Sequence, residues 1–314
     1  MRFVAEHADR TTVDGLRWGV EPICAVLTEQ GTPIAPSTYY EHRQRRPSRA
    51  EQRDVVLRGE IERVYRDNYA VYGARKVWLQ LNREGIPVAR CTVERLMRDM
   101  GLQGARRGRK KRTTMPDPAA TRAADLVDRR FTPNRPDRLW VADFTYVATW
   151  SGTVYVAFVL DAHSRRILGW RAASTMKTAL VLDALEMAIW ARGRQGVHDL
   201  AGLIHHTDAG SQYASIAVTE RLAAVGAAPS VGTVGDAFDN ALAESEIGLF
   251  KTEVIRPAGP WKGLDQVELA VLEWVDWHNH RRLHSACYDL PPAEYEQIYY
   301  RQHPAQQPAG ASTT

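Results

Sequence analysis

Residues 139–150, LWVADFTYVATW, and residues 153–174, TVYVAFVLDAHSRRILGWRAAS, decide the fold of this 314-residue chain. Both stretches are rich in Val, Phe, Tyr and Trp, the residue types that favour β-strands. The dipeptide Ser151-Gly152 between them is a hairpin signal. The sequence therefore predicts three successive strands, joined by hairpin connections, as the beginning of a sheet.

The chain beyond these strands alternates between helical and strand patterns. The apolar spacing predicts, in order, a helix over 178–191, a strand over 202–208, a helix over 215–225, a short strand near 229–231, and helices over 240–254 and 264–278. Three hairpin-linked strands followed by alternating helices and strands predict an α/β fold, with a mixed five-stranded sheet and flanking helices.

An all-helical region precedes the sheet. The first 50 residues carry patterns for short helices, and longer amphipathic patterns cover 51–67, 72–85 and 90–100. The last two are separated by Gly85 and Pro87 and have the lengths of a helix-turn-helix, although an ordinary α-hairpin has the same pattern.

These patterns divide the chain into five parts. We predict an N-terminal helical segment (1–50), a helix-turn-helix DNA-binding region (51–103), a basic linker (104–135), a core with a C-terminal helix (136–299) and a disordered tail (300–314).

The composition excludes several classes of protein. The chain is 44% hydrophobic and 25% charged, which is ordinary for a globular protein of two domains. No stretch approaches the ~20 apolar residues of a membrane span, and Glu6, Asp9 and Asp14 interrupt any signal-peptide segment. Three widely separated cysteines form no CxxC zinc motif and suit a reducing compartment. We therefore expect a soluble cytoplasmic protein without a membrane partner.

The charge is distributed unevenly along the chain. Residues 1–112 contain 23 Lys and Arg against 14 Asp and Glu, a net charge of +9, and the remainder carries −5. Six of the seven linker residues 106–112 are basic: Arg106, Arg107, Arg109, Lys110, Lys111 and Arg112. Contacts with the phosphates of a polyanion explain this run, and so does a solvated, disordered connector. The charge alone leaves both interpretations open.

Three carboxylates interrupt otherwise apolar or structured segments. Asp143 lies in the middle of the first strand, Asp208 ends the strand GLIHHTD, and Glu244 falls in the first turn of the helix after the Gly-rich loop 232–240. A charge within a strand costs several kcal/mol unless it is paired or bound to a metal. Carboxylates from separate elements suit Mg²⁺ or Mn²⁺, and two such ions would support displacement at a phosphodiester.

The motifs around these acids carry a family resemblance. WVADFTYV, HHTDAGSQY and DNALAESEIGLFKTE resemble the ribonuclease-H-like catalytic core of retroviral-type integrases and bacterial insertion-sequence transposases. Between Asp208 and Glu244 lie 35 residues, the spacing characteristic of this superfamily. YGARKVWLQLNREGIPVARCTVERLMRDMGL resembles the helix-turn-helix of the second-reading-frame (OrfB-type) transposases, and WVDWHNHRRLHSACYDLPPAEY resembles the end of their core. The resemblance covers about residues 19–299.

The resemblance implies a role for each matching residue. Asp143, Asp208 and Glu244 would be the catalytic, metal-binding triad, holding two Mg²⁺ or Mn²⁺ ions. Lys251, seven residues after Glu244 and so on the same helical face, would contact the DNA end, although an exposed solubilising lysine is the alternative. Asn240 would cap the helix or touch DNA. The basic residues of 106–112 would also bind DNA.

Other residues compete for these roles. Asp161 and Asp239 fit a turn and a helix cap better than a metal site, and Glu246 points about 200° around the helix from Glu244. His205 and His206 could lie beside a metal, but buried strand histidines with a backbone partner are the simpler interpretation.

The resemblance also shows two departures from the family. The family usually has a basic or amide residue where this chain has Ala209. It also has an apolar, aromatic or Asn side chain around Glu246 and Ile247.

The resulting hypothesis is a DDE-type transposase that cuts the ends of an insertion sequence and joins the strands to target DNA. A ribonuclease-H-like nuclease and an inactive remnant acting as a DNA-binding regulator are the alternatives. The expected partners are terminal inverted repeats, target DNA, further copies of the chain and the product of an upstream reading frame. The expected location is the bacterial nucleoid.

Overall fold

The computed structural model of the chain describes residues 1–44, 46–106, 126, 127, 131–208, 215–231, 241–306 and 308. In these residues five strands form one sheet. The strands are β1 (Leu139–Thr149), β2 (Gly152–Asp161), β3 (Ile167–Ala173), β4 (Ile204–Thr207) and β5 (Ala228–Val231), and their order in the sheet is β3-β2-β1-β4-β5. The pairs β1/β2 and β2/β3 are antiparallel, whereas β1/β4 and β4/β5 are parallel. The predicted mixed five-stranded sheet is confirmed.

Helices cover the sheet and form the region before it. Their bounds are α1 (Arg2–His7), α2 (Val20–Glu29), α3 (Pro36–Gln44), α4 (Arg49–Asp67), α5 (Ala74–Arg83), α6 (Arg90–Asp99), α7 (Thr178–Arg194), α8 (Ile216–Ala224), α9 (Ala241–Phe250), α10 (Arg256–Ala258), α11 (Leu264–His280) and α12 (Pro292–Gln302). None of the helices that the structure describes is long and apolar enough to cross a membrane.

Side-chain alternation along β1 separates the two faces of the sheet. Trp140 and Ala142 point to the face that packs against α7 and α8, in a cluster with Leu185 and Leu222. The other face meets α9 and α11, where Phe158 of β2 contacts the ring of Phe250 at 5.3 Å between centroids. Because residues two apart share a face, Asp143 lies on the α9 side of the sheet.

The predicted helix over 240–254 is wrong in its second half. α9 ends at Phe250, and Lys251–Ile255 forms a π-helical turn. Two features favour this turn. The Thr252 hydroxyl donates to the carbonyl of Gly248 at 2.7 Å, and Pro257 has no N–H with which to continue the α-helical pattern.

The predicted disordered tail begins too early. Helix α12 continues to Gln302, and Pro304–Gln306 forms a further 3₁₀ turn. The Tyr299 hydroxyl donates to Gln306 Oε1 at 2.7 Å, and the ring of Tyr299 stacks on His303. These contacts order residues 300–306, which the polar composition alone did not predict.

The chain forms two compact units, Met1–Glu60 and Ile61–Thr314. The first has its own small core, in which Val4, Val20, Ile23 and Tyr39 are buried together. The second contains the helix pair α5–α6, the sheet and the C-terminal helices. The five-part division predicted from the sequence is retained as a proposal.

Helices α5 and α6 form the predicted helix–turn–helix, with the turn at residues 84–89. Their buried residues are Val77, Leu81, Val93, Leu96 and Met97. Gly85 adopts φ 80 in this turn, a left-handed conformation that favours glycine. The indole of Trp78 donates to the carbonyl of Val88 at 2.9 Å and closes the turn.

The same helix pair is tied to the end of the core. Arg75 of α5 donates two hydrogen bonds to Asp289, at 2.8 and 2.6 Å. The Tyr72 hydroxyl accepts the backbone N–H of Leu283 at 2.7 Å. Because both contacts join residues more than 200 positions apart in sequence, they fix α5 against the segment that follows α11.

Gly169 marks the closest approach of β3 to α7. A Cβ atom at Gly169 would lie 2.0 Å from the carbonyl oxygen of Ala184 and 2.7 Å from the backbone nitrogen of Ala188. We expect Gly169→Ala to lower the free energy of unfolding by about 1–3 kcal/mol, because backbone must move to admit the methyl group. Urea denaturation followed by circular dichroism measures this.

Gly59 of α4 provides the matched control for Gly169. A Cβ there would meet no atom within 4 Å, so Gly59→Ala should stabilise the chain by up to about 1 kcal/mol through helix propensity. Equal unfolding midpoints for Gly169→Ala and the wild type would contradict the close packing of β3 on α7.

Candidate active site

The register of β1 and β4 brings two of the candidate acids together. These strands are parallel and pair Ala142 with Thr207 as their last register position. Asp143 and Asp208 each come directly after this last pair, so they lie at the same end of the stretch over which the two strands pair. The backbone N–H of Phe144 donates to Asp143 Oδ1 at 2.8 Å and orients that carboxylate. Asp143 is partly exposed and Asp208 is exposed.

The third acid comes from the helix on the same face of the sheet. Glu244 lies in the first turn of α9, and α9 contacts β1. Burial raises the pKa of Asp143 well above its usual range, and the charges of Asp208 and Glu244 raise it further. Asp208 and Glu244 are therefore both within electrostatic reach of Asp143.

The three carboxylates can be compared with the ligands that a divalent metal ion requires. Among the residues that the structure describes, no three His, Cys, Asp or Glu side chains have their ligand atoms gathered as a metal ion would hold them. The chemistry of the donors nevertheless fits a hard divalent cation, since they are three carboxylates. Their mutual repulsion, seen in the raised pKa of Asp143, is what such a cation would relieve.

Lys251 lies at the edge of the same group of acids. It is half-buried at the start of the π-helical turn, and its Nζ lies 4.8 Å from the centroid of the Tyr146 ring. Burial lowers the pKa of Lys251, the charge of Arg256 lowers it too, and the charge of Asp143 opposes both. The predicted placement of Lys251 on the side of the triad therefore agrees with the structure.

Tyr146 belongs to the edge of β1 that β4 leaves uncovered. The pairing of β1 with β4 stops at Ala142, and the Tyr146 side chain beyond it is 59% exposed.

Several predicted site residues lie outside the described residues. These are Asn240, Asp239, Ala209 and the basic residues Arg107, Arg109, Lys110, Lys111 and Arg112. Arg106, the first residue of the basic run, is described and is exposed.

The competing acid Asp161 forms the predicted turn. Its Oδ1 accepts the backbone N–H and the hydroxyl of Ser164, at 2.7 and 2.8 Å, and its Oδ2 accepts the N–H of Asp137 at 2.8 Å. Burial, followed by the charge of Asp137, raises the pKa of Asp161 to about 6. This carboxylate closes the connection between β2 and β3.

The two strand histidines are buried in β4. His206 Nδ1 lies 2.9 Å from the hydroxyl of Ser230 on β5. Burial lowers the pKa of His205 to about 4, with a smaller contribution from His206. His205 is therefore neutral near pH 7.

Sequence reasoning missed a set of buried polar residues behind α9. Glu246 and Glu253 are buried, and they contact Arg282 and His284 from the segment after α11. Glu246, which the sequence analysis left out of the metal site, has its carboxylate hydrogen-bonded to His284. The seven-residue spacing of these two acids was the only local signal of a second polar face, since their partners lie about 30 residues or more downstream.

Comparisons with known proteins identify the domains of the chain. The family described as Integrase core domain matches residues 133–237, a second family with that description matches 225–292, and an HTH-like domain matches 51–110. A protein of Mycobacterium tuberculosis whose name assigns it as the transposase of insertion sequence element IS986/IS6110 is 63% identical over 275 residues. That match covers 87% of this chain and 99% of the relative.

A second transposase and a solved structure are also similar to this chain. The transposase for insertion sequence element IS629 from Shigella sonnei is 53% identical over 296 residues, which cover 92% of this chain and 95% of that protein. A cryo-EM structure of the simian T-cell lymphotropic virus intasome, in complex with PP2A regulatory subunit B56 gamma, aligns at 13% identity with a TM-score of 0.44. It covers 75% of this chain and 74% of that chain.

The five-stranded sheet with its flanking helices and the integrase core matches together define a ribonuclease-H-like, DDE-type polynucleotidyl transferase. The chain belongs to the insertion-sequence transposases, as its identity to relatives over nearly their whole length shows. The predicted helix-turn-helix and catalytic core are both confirmed as domains of this family.

Proposed function

We propose that the chain catalyses divalent-metal-dependent cleavage at the ends of its insertion sequence and transfer of the cut strands into target DNA. The observation that carries this proposal is the β1/β4 register, which ends at Ala142 and Thr207, one residue before Asp143 and Asp208, in a sheet whose strand β1 contacts α9, the helix of Glu244. Asp143, Asp208 and Glu244 would hold Mg²⁺ or Mn²⁺, and two ions suit the reaction. Bound ions would neutralise charge on the phosphate and activate the attacking oxygen.

The protein's own residues would orient the DNA in this reaction. In strand transfer the 3′-hydroxyl of the element end loses its proton and forms a new P–O bond. The P–O bond to the target 3′-oxygen breaks, and that oxygen leaves with the electron pair and takes up a proton. We assign Lys251 to a phosphate of the element end, because its ammonium group lies over the ring of Tyr146 on β1 and its charge interacts with that of Asp143.

The helix-turn-helix and the basic run 106–112 would bind the duplex outside the active site. The HTH-like domain match at 51–110 supports this role and includes the first residues of that run. Asn240 stays a proposed contact to DNA or a proposed cap of α9. Further copies of the chain and the product of an upstream reading frame are proposed partners on the DNA.

A joining assay tests the proposed reaction. The full chain is incubated with Mg²⁺, a duplex carrying the terminal repeat of the element and a supercoiled plasmid. We expect covalent joining of the duplex to the plasmid, and none when the end carries a 3′-deoxy terminus. Cleavage without joining would favour the nuclease alternative, and DNA binding without either reaction would favour the inactive regulator.

The salt dependence of binding tests the basic run separately. We replace its six Lys and Arg residues with Gln in the full chain and measure the affinity for duplex DNA against salt concentration. Each phosphate contact that is lost should reduce the slope of log K against log salt by about 0.9. An unchanged slope would mean that the run is a solvated connector. Gln in place of six other exposed arginines, Arg2, Arg10, Arg43, Arg46, Arg49 and Arg301, is a control for net charge.

A further inference from the structure

The segment that carries Glu244 and Lys251 has a second polar face. Glu246 follows Glu244 by two positions, which places it about 200° around the α-helix. Glu253 likewise follows Lys251 by two positions, within the π-helical turn. The exposed fractions of Glu246 and Glu253 are only 4% and 5%. The segment Ala241–Ile255 therefore presents one carboxylate and one ammonium group to the active site and buries two carboxylates behind it.

Glu246 is held by a histidine of fixed tautomer. His284 Nε2 lies 3.0 Å from Glu246 Oε1. The Nδ1 atom of the same ring accepts the backbone N–H of Ala286 at 3.3 Å, so the neutral ring carries its proton on Nε2 and donates it to Glu246. The backbone N–H of His284 donates to the carbonyl of Leu290 at 3.1 Å, which fixes the histidine to its own loop.

Glu253 is held by an arginine of the same loop. Arg282 Nε and Nη2 donate to Glu253 Oε1 at 3.0 and 2.6 Å, and the indole of Trp274 donates to Glu253 Oε2 at 3.1 Å. The Tyr72 hydroxyl accepts the N–H of Leu283, between the two loop residues. Both buried carboxylates are thus bonded to neighbouring positions of one anchored loop.

The cost of this arrangement argues for a role beyond stability. Glu246 Oε2 is buried and accepts no hydrogen bond from the described residues. Apolar side chains of similar size often give equal or greater stability than such a buried polar pair. What apolar contacts do not supply is a set of directional bonds that fixes how far the helix is turned about its own axis.

Small rotations of this helix would matter at the active site. A carboxylate lies about 6 Å from the helix axis, so a rotation of about 10° moves it by about 1 Å. Metal–ligand distances tolerate only about 0.2 Å. The orientation of Glu244 towards Asp143 must therefore be held closely if both are to bind one metal centre.

We infer that Glu246 with His284, and Glu253 with Arg282, are positioning residues that set the rotation of this helix so that Glu244 faces Asp143. This inference rests on the proposed metal site. The four residues contact neither the DNA nor the metal in this account, and they act through Glu244.

Manganese binding to the full chain tests the inference without any catalytic turnover. We titrate Mn²⁺ alone into the wild type and into Glu246→Ala by isothermal calorimetry. Loss of residues that orient metal ligands typically weakens metal affinity by 10–100-fold, and we expect a loss of this size. In the joining assay, kcat should fall by a similar factor, whereas KM for the end duplex should stay within twofold.

Glu246→Gln separates positioning from charge. The His284 Nε2–H can donate to the amide oxygen as it does to the carboxylate, so the variant should bind Mn²⁺ within threefold of the wild type. If the effect of Glu246 were its negative charge near the metal, Gln and Ala would weaken Mn²⁺ binding equally. Equal losses would therefore overturn the inference.

Glu296 supplies a control for general destabilisation. It is buried, and its carboxylate is paired with Arg192 at 2.7 Å and with Arg166 at 2.9 Å, neither of which belongs to α9 or the π-helical turn. Glu296→Ala should lower the melting temperature without changing Mn²⁺ affinity at temperatures where it is folded. A comparable loss of Mn²⁺ affinity in Glu246→Ala and Glu296→Ala would mean that Glu246 and its partners only stabilise the fold. That result would overturn their positioning role.

Two further measurements keep the outcome decisive. If Glu246→Ala does not fold, the pair Glu246→Met with His284→Leu fills the same space without directional bonds, and wild-type Mn²⁺ affinity in that pair would overturn the inference. Asp143→Asn gives the background level of Mn²⁺ binding. If it binds Mn²⁺ as tightly as the wild type, the metal site itself is wrong, which distinguishes failure of the proposed function from failure of the positioning role.

Discussion

Asp143→Asn, Asp208→Asn and Glu244→Gln should each lower the rate of cleavage and joining by about 1,000-fold or more. Each substitution removes a charged oxygen ligand from a site whose bound metal would supply several kcal/mol of transition-state stabilisation. Binding of the element-end duplex should change by less than about threefold, because affinity comes mainly from contacts with the phosphate backbone elsewhere. Single-turnover assays on a labelled end duplex measure both reactions, and filter binding measures affinity.

Asp161→Asn is the matched control for the triad variants. Asp161 is a buried acid of the same sheet, but its hydrogen bonds are with Ser164 of the β2–β3 turn and with the N–H of Asp137. The amide can still accept from Ser164, so this variant should keep most of the wild-type activity. Retention of Mg²⁺-dependent joining by all three triad variants would contradict the assignment of the site.

Arg192→Met should lower the free energy of unfolding by about 3–5 kcal/mol. The Arg192 guanidinium is buried and bonded to Glu296 at 2.7 and 2.9 Å and to Asp137 at 2.7 Å. Removing one partner of such a group leaves an uncompensated buried charge. Arg171→Met is the control, because Arg171 is an exposed arginine whose ion pairs contribute little. Equal denaturation midpoints for the two variants would contradict this account.

The pH dependence of the Arg192→Met effect has a defined sign. Burial alone would raise the pKa of Glu296, but Arg192 and Arg166 lower it below its usual range. The stability that the ionised Glu296 carboxylate contributes to the wild type is therefore present above the ordinary carboxyl pKa and is lost as the pH falls. Without Arg192, burial should raise the pKa of Glu296, so that protonation favours the folded state at low pH. The difference between wild type and variant should thus be largest near pH 7 and shrink towards pH 4.

Much of the fold could be predicted because its determinants are local. The Val-rich and aromatic stretches of β1 to β3 and the hairpin signal at Ser151-Gly152 lie within the segments that they form. Asp143 was recognisable as unusual because a charge in the middle of an apolar strand requires a partner or a ligand. The position of Glu244 in a first helical turn was also a local property.

The features that could not be predicted depend on contacts between distant segments or on small backbone differences. The periodicity of 240–254 does not distinguish an α-helix from one that ends in a π-helical turn, so the change at Lys251 was missed. Glu246 departs from the family pattern, and only the folded structure shows that its carboxylate is hydrogen-bonded to His284. The order of residues 300–306 likewise depends on Tyr299, whose ring and hydroxyl contact the segment that follows.

Anomalous diffraction from crystals grown with Mn²⁺ and an element-end duplex tests the central claim most directly. The account predicts manganese peaks coordinated by carboxylate oxygens of Asp143, Asp208 and Glu244, next to the phosphate at the end of the element. Manganese bound to other side chains only, with these three carboxylates uncoordinated, would contradict it.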